Sequence, residues 1–241
     1  MPKGVEITHR AAANTILDIN ERHDIWPGDR IFGISSLSFD LSVYDVFGTL
    51  AAGAALVLPH SAGARDPQHW LARMRECDVS VWNSVPALAG LLVDCVERGG
   101  ETLPSSLRLM MLSGDWIPVS LPQRISDRSH PRRVDVISLG GATEAAIWSI
   151  AYPIHGVDPA WTSIPYGQPL RNQTIHVLDD NFNSRPVWAQ GKIFIAGSGL
   201  ARGYWKNPEE TERRFLLHPA TGERLYDTGD LGRWLPDGNV D

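Results

Sequence analysis

The sequence has little cysteine and no long run of basic or apolar residues. Its cysteines, Cys77 and Cys95, form no CxxC pair and have no histidine at metal-ligand spacing, so neither a disulfide framework nor a zinc site is indicated. The net charge of −6 comes without a lysine or arginine cluster, which argues against a phosphate-backbone-binding surface. Apolar stretches are far shorter than the roughly 20 residues of a membrane helix. We expect neither nucleic acid nor membrane as a partner.

The N-terminus, MPKGVEITHRAAANTI, lacks the basic and then apolar pattern of a signal peptide. Together with the cysteine usage, this favours a reducing, cytoplasmic setting. The composition, 43% hydrophobic and 21% charged, is that of a soluble globular protein. The chain begins abruptly, and we expect it to be an internal piece of a larger protein.

Between Arg30 and Ile154, short β-type runs alternate with helical segments. Such alternation predicts βαβ units, and residues 1–164 are therefore expected to form an open, mostly parallel α/β sandwich. Ligands bind beyond the carboxyl ends of the strands in such sheets. The residues that follow SLSF, VWNS, MMLSG and VISL are therefore expected to share one crevice.

From Pro165 onward the pattern changes to short strands and turns, with one helix expected at Asn207 to Phe215. Pro208 and the acidic residues that follow it suit the first turn of that helix. Residues 165–241 are predicted to form a small β-rich, barrel-like subdomain.

The segment YDTGDLGRW places Asp230 in a glycine-flanked turn. Its carboxylate can accept hydrogen bonds from the two neighbouring hydroxyls of a ribose. The alternative is a turn-forming aspartate with no ligand.

The segment ISLGGATEAAIW follows the last strand of the α/β part. Gly140 and Gly141 allow backbone N–H groups to approach a ligand closely. Thr143 then offers a hydroxyl to a phosphate, and Glu144 offers a carboxylate to Mg²⁺, which prefers oxygen ligands. An ordinary turn is the alternative.

Three further segments carry weaker signals. Asp40 in FDLSVYDVFG is either a helix N-cap or the partner of a substrate ammonium group. The glycine-rich segment GKIFIAGSGLARGYWKNPEET is interpreted as a structural hairpin and connector, in which Arg202 and Tyr204 pack or form ion pairs. The opening Pro2, Lys3 and Gly4 resemble the tail of a phosphate-binding loop.

The order PKG, FDLS, GGATE, GQPLRN, GKIFIAGSGLARGYW and YDTGDLGRW resembles the core motifs of nonribosomal-peptide adenylation domains, over essentially the whole chain. The resemblance implies a two-step reaction. An amino-acid carboxylate attacks the α-phosphorus of Mg·ATP and releases pyrophosphate, and the aminoacyl adenylate then acylates a carrier-bound phosphopantetheine thiol. ATP and Mg²⁺ are the implied cofactors.

By the same resemblance, Thr143 contacts the α-phosphate, Glu144 ligates Mg²⁺ and Asp230 binds the ribose. Lys3 is implied as a catalytic remnant of the pyrophosphate loop. The residues implied to bind the nucleotide are Gly114, Gly140, Gly141, Ala142, Thr143 and Asp230.

The resemblance also implies a substrate pocket in which Asp40 binds the α-ammonium group. Its residues spell DLYNMSLIW, similar to the family's cysteine-selecting signature, with Met111 where leucine is usual. This exchange is mild because the two side chains are nearly isosteric. The implied pocket residues are Asp40, Leu41, Tyr44, Asn83, Met111, Ser113, Leu139, Ile147 and Trp148.

Two departures from the family pattern stand out. Most relatives carry Tyr-Gly-Pro-Thr-Glu where this chain has Gly140, Gly141, Ala142, Thr143 and Glu144, so the aromatic residue that stacks on adenine is absent. We expect backbone around Gly114 and Gly141 to hold adenine instead. The body of the phosphate loop and the mobile lid are expected to lie outside this sequence, so the chain alone is expected to be nearly inactive.

GGATE is similar to adenylation domains that work beside heterocyclisation domains. The partners implied are a carrier protein domain, a heterocyclisation or condensation domain and a small MbtH-like accessory protein. Three alternatives remain open: a serine- or threonine-activating domain, an acyl- or aryl-acid CoA ligase, and a noncatalytic folding unit or docking surface.

Overall fold

The computed structural model describes residues 3–241, which divide into two compact units. The first unit comprises the chain up to residue 19, residues 139–152 and residues 165–241. The second unit comprises residues 20–138 and 153–164. Both units are discontinuous in sequence, whereas the predicted subdomain boundary is a single cut after residue 164. That boundary stays a prediction.

The regular elements alternate as the sequence predicts. The α-helices are α1 His9–Arg22, α2 Leu41–Val43, α3 Thr49–Ala51, α4 Pro67–Glu76, α5 Pro86–Arg98, α6 Leu121–Asp127 and α7 Pro208–Arg214. The strands are β1 Arg30–Gly33, β2 Ala55–Val57, β3 Val81–Ser84, β4 Leu109–Ser113, β5 Asp135–Gly140, β6 Ile150–Pro153, β7 Gln168–Pro169, β8 Gln173–Leu178, β9 Gly191–Gly197, β10 Phe215–Leu217 and β11 Arg224–Gly232. A π-helical turn covers Tyr44–Gly48, and 3₁₀ turns cover Ser61–Gly63 and Thr143–Ala145.

The second unit contains four parallel strands in the order β2-β1-β3-β4. Phe32 of β1 pairs with Val57 of β2 on one side and with Trp82 of β3 on the other. The rings of Phe32 and Trp82 stack at 5.5 Å between centroids. Strands that are buried on both faces have nearly continuous apolar sequences. The segments VSVWNS and LRLMMLSG have this composition, and they contain β3 and β4. The predicted α/β class is confirmed.

The helices of this unit begin where the sequence signals them. Pro67 occupies the first turn of α4, and the Asp66 side chain accepts from the Gln68 N–H at 3.0 Å. Pro86 begins α5 in the same way. The inward face of α4 buries Trp70 and Met74, and the ring of Trp70 lies beside that of Trp82.

The first unit contains the β-rich part, an antiparallel sheet in the order β10-β11-β9-β8. The region that was expected to be barrel-like contains this four-stranded sheet. Helix α7 begins as predicted, with Pro208 in its first turn and the Asn207 side chain accepting from the Glu210 N–H at 3.1 Å. Helix α1 and strand β10 were not predicted. No helix within residues 3–241 is both long and apolar enough to cross a membrane.

Candidate functional site

Three predicted pocket residues lie on neighbouring strands of the second unit. Asn83 of β3 pairs with Met111 of β4 in parallel register, and Ser113 follows two residues later on β4. Side chains alternate along a strand and paired residues share a face, so these three side chains lie on one face of the sheet. All three are buried, with exposures of 0%, 0% and 2%.

A π-helical turn lies between α2 and α3, in the helical stretch that follows β1. Such turns are rare and often occur at functional sites. Tyr44, a predicted pocket residue, begins the turn, and its hydroxyl donates to Asn20 Oδ1 at 2.9 Å. A Cβ atom at Gly48 would lie 2.7 Å from the Tyr44 ring, so this glycine provides the space for the ring. Burial raises the pKa of Tyr44, and the negative charge of Asp45 raises it further.

Asp40 occupies the position before α2, where the sequence allowed an N-cap. Its backbone is right-handed helical, and its side chain makes no capping hydrogen bond. Asp40 is therefore at the N-cap position, as the sequence allowed, but its carboxylate does not cap the helix. Leu41, the next pocket residue, is 3% exposed and begins α2.

Asp45, which no sequence motif singles out, is buried beside the predicted pocket residue Asn83. Asn83 Nδ2 donates to Asp45 Oδ1 at 2.7 Å, and Asp45 is 2% exposed. Burial raises the pKa of Asp45 to about 6, an effect that Asn83 and Ser35 partly offset. The Ser35 hydroxyl and backbone N–H lie close enough to the Asp45 carboxylate to lower its pKa, but Asp45 Oδ2 accepts no hydrogen bond of normal geometry. Its spacing in the sequence could have revealed it. Asp45 lies four residues after the predicted pocket residue Leu41, and residues four apart lie on the same face of a helix.

The first unit carries the loop that joins β5 to β6. Gly141 has a φ of +155°, and a Cβ atom there would lie 2.8 Å from the backbone nitrogen of Ser149. Ala146 and the predicted pocket residue Ile147 follow with φ values of 59° and 74°. A β-branched residue is strained in this region, and such strain concentrates at functional sites. Leu139 and Trp148, the other pocket residues of this unit, are buried.

Gly140 lies against the ring of Tyr166. A Cβ atom at Gly140 would lie 1.9 Å from Tyr166 Cε2. Burial raises the pKa of Tyr166, the charge of Asp230 raises it further, and the backbone of Gly141 lowers it. The sequence analysis missed Tyr166, although its side chain lies among predicted nucleotide-binding residues.

Glu144 is held by a tyrosine from the β-rich part of the same unit. Tyr204 Oη donates to Glu144 Oε1 at 2.5 Å, and the Ala201 N–H donates to the Glu144 carbonyl at 2.8 Å. Burial and the bond to Glu144 raise the pKa of Tyr204 to about 12, so its hydroxyl remains a donor at neutral pH. Tyr204 is therefore not only a packing residue. The preceding Thr143 and Gly141 are exposed, and Ala142 is partly buried.

Lys3 lies near the same tyrosine. Its ammonium group pairs with Glu210 at 2.5 Å and lies 5.1 Å from the centroid of the Tyr204 ring. Its neighbour Pro2, part of the PKG motif, lies outside the described residues.

Asp230 lies in a strand rather than in the expected turn. Strand β11 continues through the TGD motif, and its pairing with β9 shifts register between Asp227 and Leu231. Gly229, at φ +84°, and the bond from the Asp230 N–H to Thr228 Oγ1 at 3.0 Å shape this bulge. The expected turn is therefore wrong, and the bulge leaves the Asp230 side chain exposed.

Glu144 is the carboxylate of the β5–β6 loop that could ligate Mg²⁺. Within residues 3–241 no group of three or more histidine, cysteine or acidic residues is placed to hold a metal ion. Mg²⁺ is usually held by one or two carboxylates together with water and substrate phosphates, not by an all-protein cage. The single oriented carboxylate of Glu144 fits that mode. Gly114, the remaining predicted nucleotide residue, follows β4 in the second unit with a φ of +82°.

Comparison with known proteins supplies a family. Residues 1–205 match the family described as AMP-binding enzyme. The chain is 48% identical over 240 residues to pyochelin synthetase PchF of Pseudomonas aeruginosa, covering 100% of this chain and 13% of that protein. It is 48% identical over 244 residues to bacitracin synthase 1 of Bacillus licheniformis, covering 100% of this chain and 4% of that protein.

Solved structures of the nonribosomal peptide synthetase FmoA3 have the same fold. The structure bound to α-methyl-L-serine-AMP superposes with a TM-score of 0.95 at 45% identity, over 100% of this chain and 27% of that one. An AMPPNP-bound form matches equally well. The chain therefore spans about a quarter or less of the length of these proteins.

Proposed function

The chain belongs to the AMP-binding enzyme family, and we propose that its parent protein activates L-cysteine with Mg·ATP. The cysteine carboxylate attacks the α-phosphorus, the bond from that phosphorus to the bridging oxygen breaks, and pyrophosphate leaves. A phosphopantetheine thiol of a carrier domain then attacks the acyl carbon, and AMP leaves. The similarity to FmoA3, which has AMPPNP-bound and aminoacyl-AMP-bound forms, supports this chemistry.

The nucleotide roles fall on residues of the first unit. Thr143 contacts the α-phosphate, Asp230 binds the ribose hydroxyls and Glu144 ligates Mg²⁺, which offsets charge on the phosphates. The hydrogen bond from Tyr204 supports the role of Glu144, because it fixes the carboxylate that receives the metal. Lys3 belongs to the pyrophosphate loop, and Gly141 offers its backbone to the nucleotide.

One observation carries the amino-acid assignment: the second unit buries apolar and polar pocket residues together. Leu41, Tyr44 and Met111 supply apolar surface, while Asn83 and Ser113 each bury an oxygen without a hydrogen-bond partner. A small side chain with a weak donor, such as a thiol, suits that combination.

The remaining pocket assignments complete this proposal. Asp40 takes the α-ammonium group, and its carboxylate is not used for capping. In the first unit, Leu139, Ile147 and Trp148 add apolar surface.

ATP–pyrophosphate exchange by the intact parent, measured with each amino acid in turn, tests the proposal. We expect cysteine to give the highest kcat/KM. We expect Asp40→Ala to abolish exchange, because the ammonium group loses its partner. A preference for any amino acid other than cysteine contradicts the cysteine assignment, and an active Asp40→Ala variant favours a ligase for acids without an amino group.

Serine is the second candidate. FmoA3 binds an α-methyl-L-serine adenylate, and its structure is 45% identical to this chain. The buried, unpartnered oxygens of Asn83 and Ser113 also offer acceptors to a hydroxyl, which a purely apolar pocket would not. The ratio of kcat/KM for cysteine to that for serine separates the two candidates.

The partners of the parent are also proposals. They are a carrier domain with its phosphopantetheine, a heterocyclisation or condensation domain, and a small MbtH-like protein. The multidomain synthetases that this chain resembles support them.

A further inference from the structure

Several polar side chains of the second unit bury an atom without a hydrogen-bond partner within the described part of the chain, and three of these atoms lie together in the helical stretch after β1 and on β3 and β4. These three atoms are Asp45 Oδ2, Asn83 Oδ1 and Ser113 Oγ. The side chains are 2%, 0% and 2% exposed. Buried polar atoms are nearly always hydrogen-bonded, so three such atoms around one helix-covered sheet face point to a ligand.

The orientation of the Asn83 amide follows from its partner. A carboxylate only accepts hydrogen bonds, so the amide must present its Nδ2 to Asp45, which it does at 2.7 Å. Asn83 Oδ1 is thereby left as an acceptor. Since an amide can otherwise be turned over at little cost, Asp45 decides which end of Asn83 is available.

We propose that Asp45 is a positioning residue that fixes the Asn83 amide, so that Asn83 Oδ1 accepts a hydrogen bond from the side chain of the activated amino acid. This inference rests on the proposed function. Asp45 acts through Asn83 and does not itself touch the substrate. The backbone supports the placement, because the π-helical turn at Tyr44–Gly48 contains Asp45.

The class of substrate follows from the acceptor. Its side chain must be small and must end in a donor, either S–H or O–H. A side chain of the same shape without a donor leaves Asn83 Oδ1 unpaired, and sites of this kind reject such analogues strongly. A thiol is a weaker hydrogen-bond donor than a hydroxyl. The preference for cysteine over a donor-free analogue is therefore expected to be smaller than the preference for serine over the same analogue.

The test is a ratio of specificity constants. L-2-Aminobutyrate has a methyl group where cysteine has a thiol and serine a hydroxyl, so it serves as the donor-free reference for both. We would measure kcat/KM in ATP–pyrophosphate exchange for cysteine, serine and 2-aminobutyrate with the intact parent. The ratio of the preferred amino acid to 2-aminobutyrate is independent of the fraction of protein that is folded.

Asp45→Asn keeps the shape but removes the charge that orients Asn83. Two facing amides pair in either orientation, so Asn83 presents Nδ2 part of the time, and we expect the ratio to fall about tenfold. Asn83→Leu removes the acceptor. We expect it to lower the ratio of kcat/KM for the preferred amino acid to kcat/KM for 2-aminobutyrate at least as much as Asp45→Asn does. The amide variant of Asp45 separates positioning from folding, because it retains every heavy atom of the packing.

Asp29→Asn is the matched control. Asp29 is the other strongly buried carboxylate paired by hydrogen bonds in this unit, 1% exposed, and its partner is Arg108 rather than Asn83. We expect its ratio to remain that of the wild type. An unchanged ratio in Asp45→Asn, or an equal fall in Asp29→Asn, overturns the inference while leaving cysteine or serine activation in place. A wild-type parent that activates neither amino acid overturns the proposed function and the inference together.

Discussion

The ring of Tyr166 occupies the space that a side chain at Gly140 would need. The two residues are distant in sequence, yet a Cβ atom at position 140 would lie 1.9 Å from Tyr166 Cε2. The Tyr166 ring reaches this loop from the start of the β-rich part, and it lies close enough to Asp230 for the carboxylate to raise the pKa of the Tyr166 phenol, which burial already raises.

Gly140→Ala is therefore expected to destabilise the protein by about 3 kcal/mol, because the new methyl group overlaps a buried ring. The effect should be coupled to Tyr166. In Gly140→Ala combined with Tyr166→Ala the clash is gone, and we expect the double variant to lose about 1–3 kcal/mol less than the sum of the single variants. Urea unfolding of all three variants measures the coupling.

Gly90→Ala is the control for a glycine replacement that meets no neighbour. Gly90 lies inside α5, and no atom lies within 4 Å of its added Cβ. We expect the free energy of unfolding of this variant to rise by about 0.5–1 kcal/mol, because alanine lowers the conformational entropy of the unfolded chain. Additive losses at Gly140 and Tyr166 would show that the ring does not fill this space.

Local pattern predicted the elements, and tertiary pairing explains what it missed. Helix α5 was expected at Pro86 to Arg98 and lies there, since proline begins it and its apolar face repeats with helical period. The π-helical turn has the same periodicity as an α-helix over a few residues, so pattern alone does not reveal it. Asp230 was expected in a turn because TGD has turn composition, but pairing with β9 makes it a bulge.

The candidate site shows the same limit. Asp40, Asn83 and Glu144 were predicted as site residues because the motifs fix their positions in the sequence. Asp45 was missed because its importance depends on a partner from another strand, and Tyr166 was missed because it contacts a glycine that carries no signal for a distant ring.

Tyr204→Phe tests whether the Tyr204 hydroxyl orients the proposed magnesium ligand. Glu144 Oε1 loses its donor at 2.5 Å, and the carboxylate keeps only its weaker interaction with the Tyr226 hydroxyl. Loss of such a partner weakens metal affinity by about 10-fold or more, so we expect the half-saturating Mg²⁺ concentration in exchange assays to rise by about that factor. The preference among amino acids should not change.

The matched replacement is Tyr152→Phe, which removes a phenol in the same unit whose pKa is raised by burial and by Asp237 rather than by Glu144. It should leave the Mg²⁺ requirement as in the wild type. An equal shift in both variants would indicate general loosening, and no shift in Tyr204→Phe would remove Tyr204 from the magnesium site.

Arg108→Met leaves Asp29 as a buried charge without its main partner. Arg108 Nη2 lies 2.6 Å from Asp29 Oδ2, and Asp29 is 1% exposed. We expect the free energy of unfolding to fall by about 3 kcal/mol at pH 7. This value is at the lower end of the range for broken buried ion pairs, because Arg108 is partly exposed. Arg124→Met breaks a more exposed pair with Glu97 and should cost about 1 kcal/mol or less.

The pH dependence of this pair has a definite sign. Burial alone would raise the pKa of Asp29, but hydrogen bonds from Arg108 and Ser80 outweigh it and hold the pKa below its usual value of 3.8. The stabilisation is therefore complete above pH 3.8 and is lost as the pH falls through the folded value. Urea unfolding between pH 7 and pH 3 should show wild type and Arg108→Met converging. A constant gap would mean that the pair does not titrate.

Asp45 should show the opposite dependence. Its pKa is raised from the usual 3.8 to about 6, so the folded protein binds more protons than the unfolded chain between these values. Unfolding free energy therefore falls as the pH rises from about 4 to about 6, by roughly 3 kcal/mol from this group. Asp45→Asn removes that cost.

We expect Asp45→Asn to match the wild type near pH 4 and to exceed its stability above pH 7, by up to roughly 3 kcal/mol. Subtracting the two pH profiles isolates Asp45, because the contribution of Asp29 is common to both proteins. A variant that is less stable than wild type at pH 8 would show that the Asp45 carboxylate supports the fold. A variant that gains stability while it loses selectivity would show that the buried charge is retained for the substrate, since a purely structural residue loses both together.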